Sequence, residues 1–289
     1  MSTYNGEGYL EEQITSIISQ QNVRIHLLVR DDGSTDGTLN ILEKYQDKGL
    51  LKFYRGCNIG AAKSFMDLLF KADEYMYYAF ADQDDLWLKD KIYRAVSKLD
   101  CIKSSPAFYN SRAIVVDKNL NKTGIEYGTL KVYNLQTQIC RSSVIGCTMV
   151  INNELLQIIK MYKPERLCMH DQWIAILCKA YDGIEIKDHE SRILYRQHSN
   201  NVVGARNSLI KLYRASSLKA DDGKRFAQII ELFEMYKENM PLDSYNLFGE
   251  IIQYKDNLLC WSKCISRKYN AEKHLYNFLI RLSFFRGKF

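Results

Sequence analysis

Residues 75–85 read Tyr-Met-Tyr-Tyr-Ala-Phe-Ala-Asp-Gln-Asp-Asp, an aromatic, apolar run followed at once by three carboxylates. The apolar run predicts a buried strand, because short runs rich in aromatic residues favour strands. Asp82, Asp84 and Asp85 then stand together where that strand ends. Open parallel sheets bind ligands at the carboxyl ends of their strands. The cluster therefore predicts a site for a divalent cation with oxygen ligands, and the alternative is an acidic surface turn that caps the next helix.

Strands and helices alternate through the first hundred residues. The apolar periodicity predicts helices over 9–21, 38–45, 61–72 and 89–99, and strands over 25–29, 50–54 and 75–81. Such alternation is typical of an α/β fold in which right-handed crossovers build a mostly parallel sheet.

The alternation loosens after residue 100. Further strands are predicted over 107–109, 113–116, 146–150, 184–187 and 193–196, with helices over 152–161 and 170–181. Beyond residue 206 the periodicity is helical throughout. We therefore expect an α/β domain over residues 1–205 and a helical, basic C-terminal region over 206–289.

The beginning of the sequence does not match a usual α/β domain. Such a domain opens with a strand, whereas Met1-Ser-Thr-Tyr-Asn5 looks like the tail of a strand that leads into a helix. Either the chain start is placed late or the sheet lacks one strand. The opening strand is therefore expected to be missing, which would leave backbone hydrogen-bonding groups unpaired.

Composition indicates a soluble globular protein of 289 residues, 46% of them apolar and 26% charged. The sequence holds no apolar run of about 18 residues that would predict a membrane span. Its start has neither the basic nor the apolar region of a secretion signal. Eight cysteines without a C-x-x-C pair are typical of reduced thiols in a cytoplasmic protein.

The net charge of +6 is concentrated at the C-terminus. Residues 258–289 hold seven of the 40 lysines and arginines but one of the 34 acidic residues, Glu272. Aromatic and basic residues alternate there on a helical pattern, which favours an interfacial helix at the inner face of an anionic membrane. Two alternatives are a helix packed on the main domain with a basic outer face and a nucleic-acid arm. We expect peripheral membrane contact through 258–289 and no nucleic-acid partner.

Two more polar loops follow predicted strands. Thr3-Tyr-Asn-Gly6 and Asp31-Asp32-Gly-Ser34 lie at positions where they would converge with the acidic cluster on one crevice. Asp31 and Asp32 have the acceptors to bind a nucleobase N–H or ribose hydroxyls, although turn and cap roles are an open alternative. Lys63 begins a helix after a glycine turn, where it would assist phosphates or simply face solvent.

These segments together resemble the family 2 glycosyltransferases, whose nucleotide-sugar domain has the GT-A fold. The resemblance is carried by Ser2-Thr-Tyr-Asn-Gly-Glu-Gly-Tyr-Leu-Glu-Glu-Gln13, Asp31-Asp-Gly-Ser-Thr-Asp-Gly-Thr38, Asn58-Ile-Gly-Ala-Ala-Lys-Ser-Phe65 and Asp82-Gln-Asp-Asp-Leu-Trp87. The resemblance implies that Thr3, Asp31 and Asp32 line the nucleoside pocket. It also implies that Asp82 and Asp84 form a D-x-D motif that holds Mg²⁺ or Mn²⁺ at the diphosphate.

His170-Asp171-Gln-Trp173 aligns with the segment that carries the family's general base. The resemblance implies that Asp171 takes the proton of the acceptor hydroxyl in an inverting transfer. An aspartate at a helix start lies in the positive end of the helix dipole, which favours its ionised form. The alternative for Asp171 is a helix cap. Trp173 is expected either to stack on a sugar face or to pack in the core.

Tyr195-Arg-Gln-His-Ser-Asn-Asn-Val-Val-Gly204 groups Arg196, His198 and Asn200 after a predicted strand. The imidazole of His198 would complete the metal shell or contact the diphosphate, and Arg196 would neutralise that diphosphate. The alternative for His198 is a structural role. Together with D-Q-D-D-x-W and H-D-x-W, this segment looks most like the bacterial rhamnosyltransferases of surface-polysaccharide assembly.

The sequence therefore predicts an inverting, metal-dependent hexosyltransferase. It would move a sugar, with rhamnose favoured, from a nucleoside-diphosphate donor to a hydroxyl of a growing, lipid-linked glycan of a capsule or O-antigen. A non-catalytic nucleotide-sugar binder or inactive partner subunit is the alternative that follows from the missing strand. A nucleotidyltransferase is disfavoured because the loop Tyr4-Asn-Gly-Glu-Gly8 is acidic rather than basic.

Overall fold

The structure is a computed structural model that describes residues 1–198, 223–287 and 289. The predicted domain boundary at residues 205 and 206 lies outside the described residues, as does Asn200 of the candidate site. Within the described ranges the chain folds as an α/β protein, followed by helices toward the C-terminus.

The strands are β1 (Ser2–Thr3), β2 (Leu28–Asp31), β3 (Lys52–Arg55), β4 (Tyr77–Ala79), β5 (Leu86–Trp87), β6 (Ala107–Ser111), β7 (Ala113–Val116), β8 (Lys122–Tyr127), β9 (Val150–Asn152), β10 (Ile184–Asp188) and β11 (Ile193–Arg196). The helices are α1 (Leu10–Ile18), α2 (Thr38–Asp47), α3 (Ala61–Lys71), α4 (Lys91–Leu99), α5 (Leu135–Cys140), α6 (Asn153–Lys160), α7 (His170–Ala180), α8 (Lys224–Tyr236), α9 (Leu242–Ile252), α10 (Leu258–Ser266) and α11 (His274–Phe285).

The strands of the described ranges form three hydrogen-bonded groups. The order β1-β2-β3 is parallel throughout, as expected from the helices that connect these strands. In the second group, β10-β6-β9-β4, the pair β10 and β6 is parallel, whereas β9 runs antiparallel to both of its neighbours. The third group, β5-β11-β7-β8, places β11 parallel to β7 and antiparallel to β5. The first group is thus the parallel half of the fold, and the other two groups form its mixed half.

Local sequence signals explain several helix starts. Gly60, with φ +80°, supplies the left-handed backbone that turns the chain into α3. Asparagine side chains cap α5, α6 and α10: Asn134, Asn152 and Asn257 each accept a hydrogen bond from a backbone N–H of the first turn.

The region expected to lack an opening strand holds the two-residue strand β1. Met1 precedes this strand, and its amino group donates to the carbonyl oxygen of Leu28 at 2.7 Å. Beside Met1 lies a cavity of about 800 Å³ between the β2 and β4 edges, lined by apolar side chains such as Leu69 and Phe80 and by charged ones such as Lys71 and Asp73. Met1 and Thr3 are buried all the same, so β1 fixes the start of the first loop against β2.

Two apolar clusters form the interior of the described part of the chain. One lies between the β1–β3 sheet and helices α1, α2 and α4. The other surrounds α7 and extends without interruption to the C-terminal helices, because Ile229, Tyr236 and Phe248 pack with Ile174 in one cluster. Trp173 is fully buried there against Tyr236. The expectation that Trp173 stacks on a sugar is therefore wrong, and its alternative, core packing, is confirmed.

None of the helices in the described ranges is both long and apolar enough to span a bilayer.

Candidate active site

The acidic loop, residues 82–85, follows the end of β4, as the sequence predicts. The side-chain amide of Gln13, on α1, donates to the carbonyl oxygen of Asp82 at 3.0 Å. At the other end of the loop, the backbone N–H of Arg196 donates to the carboxylate of Asp85 at 3.2 Å. Asp85 is fully buried, whereas Asp82 and Asp84 are partly accessible. The loop is thus held from both sides with Asp82 and Asp84 toward the crevice.

The carboxylates of this loop repel one another. Burial raises the pKa of Asp82 to about 7, and the nearby charges of Asp84 and Asp171 raise it further. Burial and the nearby charges of Asp82 and Asp84 also hold the pKa of Asp85 well above its usual range. A bound cation would relieve this repulsion, which is the electrostatic condition expected of a metal site.

Asp171 lies at the first turn of α7, close enough to Asp82 for their charges to interact. Burial raises the pKa of Asp171 to about 6, while hydrogen bonds from the Gln172 and Gly146 backbone act in the opposite direction. The carboxylate accepts from the N–H of Gln172 at 2.7 Å. The structure therefore brings the predicted base and the predicted metal ligands into one crevice.

Next to Asp171, His170 lies in an aromatic environment between Phe65 and Phe80, with ring centroids 4.2 and 5.1 Å away. Burial lowers the pKa of His170 to about 3, so its imidazole is neutral at physiological pH. The ring also lies against Gly146, where a side chain would come within 2.8 Å of the imidazole. His170 therefore fixes the start of α7, and with it the position of Asp171.

The predicted nucleoside loops meet at Asp31. Its Oδ2 accepts from the backbone N–H groups of Gly33 and Ser34 at 3.2 and 3.1 Å. Its Oδ1 is buried and has no hydrogen-bond partner within the described part of the chain. Buried polar atoms normally have a partner, so an unpaired carboxylate oxygen at this point fits a ligand N–H or hydroxyl.

Asp32 and Lys63 have different surroundings. Asp32 accepts from the backbone N–H groups of Ile59 and Gly60 at 3.0 and 2.9 Å and pairs with Arg30. These contacts join the loop after β2 to the start of α3. Lys63 lies exposed in the first turn of α3. The nucleotide roles predicted for both residues stay predictions.

Arg196 and His198 follow β11 and reach the acidic loop. The guanidinium of Arg196 donates to the carbonyl oxygens of Asp84 and Lys118 at 2.8 and 2.7 Å and to Glu12 at 2.6 Å. The Nε2 atom of His198 lies 2.7 Å from Oδ2 of Asp84. Tyr9 of the first loop stacks on the imidazole and lies under the guanidinium, 4.8 and 4.7 Å away. The predicted contact of Arg196 with a diphosphate stays a prediction.

The donor set fits a hard divalent cation. Asp82 and Asp84 supply carboxylate oxygens, which Mg²⁺ and Mn²⁺ prefer. Among the residues that the structure describes, Asp82, Asp85 and Cys147 also lie with their ligand atoms within 4.8 Å of one another. Burial raises the pKa of the Cys147 thiol well above its usual range, so it stays protonated and is a poor ligand for these ions. The carboxylates are the better candidates.

Sequence reasoning missed several residues of the site. Gln83 accepts a hydrogen bond from Thr3, and Gln13 donates one to the loop of residues 82–85. Glu12 pairs with Arg196, and the Cys147 thiol lies within 4.8 Å of a carboxylate oxygen of Asp82. Gln13 and Glu12 lie on α1, on or next to the apolar face that the helical pattern predicts. No chemical signal distinguishes them from ordinary helix residues. Gln83 stands inside the D-Q-D-D motif, which was a usable signal.

With this geometry established, comparisons with known proteins define the class. A family model described as "Glycosyl transferase family 2" matches residues 1–159, more than half of the chain. The chain belongs to this family. Its fold is the GT-A fold, and it is a glycosyltransferase by family.

Curated relatives share most of the chain. The dTDP-rhamnosyl transferase RfbG of Shigella flexneri is 35% identical over 241 residues, covering 75% of this chain and 78% of RfbG. The UDP-Glc:alpha-D-GlcNAc-diphosphoundecaprenol beta-1,3-glucosyltransferase WfaP of Escherichia coli is 27% identical over 245 residues, covering 81% of this chain and 89% of WfaP.

Solved structures support the fold. The structure of Staphylococcus aureus TarS residues 1–349 in complex with UDP-GlcNAc superposes with a TM-score of 0.59 at 19% identity, covering 100% of this chain and 91% of that one. The mannosyltransferase PcManGT from Pyrobaculum calidifontis, in complex with GDP-Man and Mn²⁺, superposes with a TM-score of 0.53 at 15% identity, covering 100% of this chain and 86% of that one.

Proposed function

We propose that this protein is an inverting, metal-dependent rhamnosyltransferase that extends a surface polysaccharide. The observation that carries the proposal is the proximity of Asp171 to Asp82, whose charges interact. A base at Asp171 would then lie close to a cation that holds the leaving diphosphate. Inverting transfer needs both groups in one crevice, because the acceptor attacks the face opposite the leaving group. The similarity to RfbG supports a dTDP-rhamnose donor.

Donor binding is assigned to the loops at the strand ends. Asp31 offers its unpaired Oδ1 to an N–H or hydroxyl of the nucleoside. Thr3, at the end of β1, lies beside Asp31. Asp32 accepts a hydrogen bond from the N–H of Gly60 at the start of α3, the helix on which Lys63 would contact the phosphates. Arg196 adds positive charge near the diphosphate side of the acidic loop. These roles of Thr3, Asp31, Asp32, Lys63 and Arg196 are part of the proposal.

Asp82 and Asp84 would hold Mg²⁺ or Mn²⁺, with His198 completing the shell or fixing Asp84. When bound, the cation supplies electrostatic stabilisation of the negative charge that develops on the departing diphosphate. Because His198 already contacts Asp84 at 2.7 Å, the orientation of that carboxylate is set before the donor arrives.

Asp171 would remove the proton from the acceptor hydroxyl. The hydroxyl oxygen forms its bond to the anomeric carbon as the bond from that carbon to the diphosphate oxygen breaks, and the configuration inverts. The proton goes to the Asp171 carboxylate, and the diphosphate leaves with the bonding electrons. With a pKa raised to about 6, Asp171 is still mainly ionised at neutral pH and is a stronger base than an ordinary aspartate.

The acceptor is proposed to be a lipid-linked glycan at the inner face of the plasma membrane. WfaP, by its name, acts on a diphosphoundecaprenol acceptor. Helices α10 and α11 would provide the membrane contact predicted for residues 258–289. Leu258 is 84% exposed at the start of α10, and Phe278 and Phe285 are 59% and 63% exposed on α11.

These apolar side chains form one surface. Trp261, one turn after Leu258, contacts Phe285 at a ring distance of 5.9 Å, and Phe278 lies two turns before Phe285 on the same face of α11. Lys268, Lys273 and Arg286 are exposed on the same two-helix region. Exposed apolar side chains in a region that also carries exposed cations fit the headgroup region of an anionic bilayer.

The test is a screen of nucleotide sugars, including dTDP-rhamnose, UDP-glucose and GDP-mannose, for hydrolysis and transfer with Mg²⁺ or Mn²⁺. We expect turnover of dTDP-rhamnose that needs the cation and is lost on chelation. Stabilisation by nucleoside diphosphate and Mn²⁺ without release of any sugar would instead favour a non-catalytic binder.

A further inference from the structure

Gln83 stands between the two proposed metal ligands, Asp82 and Asp84, and has no part in the chemistry described above. Its side chain is hydrogen-bonded to the first loop, which follows β1. Oε1 accepts from the Thr3 hydroxyl at 2.6 Å and from the Tyr4 backbone N–H at 2.8 Å. Nε2 donates to the carbonyl oxygen of Tyr4 at 3.0 Å. One amide thus makes three hydrogen bonds to two successive residues.

The contact is also close. A Cβ atom at Gly6 would lie 2.3 Å from Oε1 of Gln83 and 3.0 Å from the Thr3 hydroxyl. Such a distance is far below van der Waals contact, so a side chain at position 6 would force the Gln83 amide to shift. The chain turns at Asn5, whose φ of 48° is in the left-handed region. The first loop is therefore shaped around the Gln83 side chain.

The two loops joined by Gln83 have different tasks in the proposed function. The first loop carries Thr3, which borders the nucleoside pocket beside Asp31, since Asp32 N–H donates to the Thr3 carbonyl at 2.8 Å. The second loop carries the aspartates of the proposed metal site. Asp82 and Asp84 flank Gln83 directly in the chain. Any shift of the Gln83 backbone therefore moves both carboxylates.

We propose that Gln83 is a positioning residue that holds the first loop, which follows β1, and the acidic loop of residues 82–85 in one fixed relation. This inference rests on the proposed function. By joining the two loops, Gln83 sets the distance between the part of the donor site that binds the nucleobase and the part that binds the diphosphate. Ordering of one loop then orders the other, so nucleoside and cation favour each other's binding through the protein as well as through the shared diphosphate.

Two substitutions separate the parts of this contact. Gln83→Glu keeps two acceptor oxygens for Thr3 and Tyr4 but loses the donor to the Tyr4 carbonyl. Gln83→Met keeps a similar length and loses all three hydrogen bonds. The matched control is Gln46→Met, because the Oε1 of Gln46 also accepts from a backbone N–H, that of Phe53 at 3.0 Å, away from the crevice.

The first measurement is amide hydrogen exchange of Tyr4 without nucleotide. We expect Gln83→Met to speed this exchange by about tenfold, Gln83→Glu to have an intermediate effect, and Gln46→Met to leave it unchanged. Melting temperatures measured on the same samples separate a local change from general unfolding. Equal Tyr4 exchange in Gln83→Met and wild type would overturn the inference.

The second measurement is the affinity for dTDP and UDP with Mn²⁺, together with KM and kcat for the donor. In Gln83→Met we expect nucleotide affinity to fall about tenfold and KM to rise similarly, with a smaller change in kcat. A purely structural loss would lower the active fraction and leave KM unchanged. If wild type and Gln83→Met bind nucleotide equally, this inference fails alone. If wild type binds no nucleoside diphosphate, the proposed function fails and this inference with it.

Discussion

Asp84 and His198 are joined by a contact of 2.7 Å between a carboxylate oxygen and the Nε2 atom of the imidazole. They are separated by 114 positions in the chain. One residue belongs to the loop after β4, and the other follows β11, which lies in a different group of strands. The contact therefore ties the second and third groups of strands together at the proposed metal site.

Removing this contact is expected to weaken cation binding. His198→Gln should raise the Mn²⁺ concentration needed for half-maximal activity about 10- to 100-fold, because partners that orient a metal ligand contribute on this scale. Asp84→Asn should remove metal-dependent activity. A titration of turnover against Mn²⁺ measures both. Asp73→Asn, which removes an exposed aspartate paired with Lys52 at 3.8 Å, is the control for charge alone. An unchanged Mn²⁺ requirement in His198→Gln would show that His198 has no part in the site.

Asp171 is expected to act in the chemical step and not in donor binding. Asp171→Asn should lower the transfer rate by about 10²- to 10⁴-fold, the usual contribution of a general base. Nucleotide affinity, measured by thermal shift with dTDP and Mn²⁺, should stay near the wild-type value. Asp182→Asn is the control, because it makes the same substitution on an exposed residue just after α7. Loss of nucleotide binding in step with the loss of transfer would assign Asp171 a structural role instead.

The raised carboxyl pKa values predict a pH dependence of stability in the metal-free protein. The pKa of Asp171 is raised from 3.8 to about 6 and that of Asp82 to about 7, in both cases chiefly by burial. The folded state therefore binds more protons than the unfolded state between pH 4 and pH 7. Stability from these groups is present below pH 4 and is lost as pH rises through 6 and 7.

Thermal unfolding between pH 4.5 and 7.5 without metal checks this sign. We expect a steeper decline toward neutral pH in wild type than in Asp82→Asn, which has no carboxyl group to ionise at that position. Mn²⁺ should stabilise the protein more at pH 7.5 than at pH 5.5, since the cation binds the ionised carboxylates. Equal pH profiles for wild type and Asp82→Asn would contradict the prediction.

The sequence predicted the order of elements and the crevice because both depend on local patterns. The apolar run before Asp82 and the helical periodicity before Asp31 are short-range signals, and the polar loops at strand ends converge in any parallel sheet. The strands β5 and β8 and the helix α5 were not predicted. The β8 segment, Lys122–Tyr127, is largely exposed and lacks the apolar alternation that marks a strand.

What the sequence could not predict is the set of long-range partners. Two features of Trp173 were visible, its apolar character and its place after Asp171, and both sugar stacking and core packing fit them. The helices that bury it come from residues 224–252, and no local pattern shows that α8 packs on α7. The same holds for Arg196, which donates to oxygens of Glu12, Asp84 and Lys118 from separate parts of the chain.

Trp173 is therefore expected to contribute to stability. Trp173→Ala should lower the free energy of unfolding by about 3–5 kcal/mol, the range for a large aromatic side chain removed from a core. Urea denaturation measures the change. Trp261→Ala is the matched control, because Trp261 is only partly buried and should cost clearly less. Equal losses for the two variants would mean that the packing around Trp173 is looser than its complete burial indicates.

The exposed apolar surface on α10 and α11 is expected to bind anionic bilayers. The double substitution Phe278→Glu and Phe285→Glu places carboxylates where the wild type presents two aromatic rings, so it should repel acidic headgroups and remove apolar contact. Co-sedimentation with vesicles of phosphatidylglycerol and phosphatidylcholine should fall at least about tenfold relative to wild type. Met161→Glu, at an exposed apolar position just after α6, should bind as wild type does. Binding of wild type that is equal on pure phosphatidylcholine vesicles, or retained in the double variant, would show that this surface does not recognise a charged membrane.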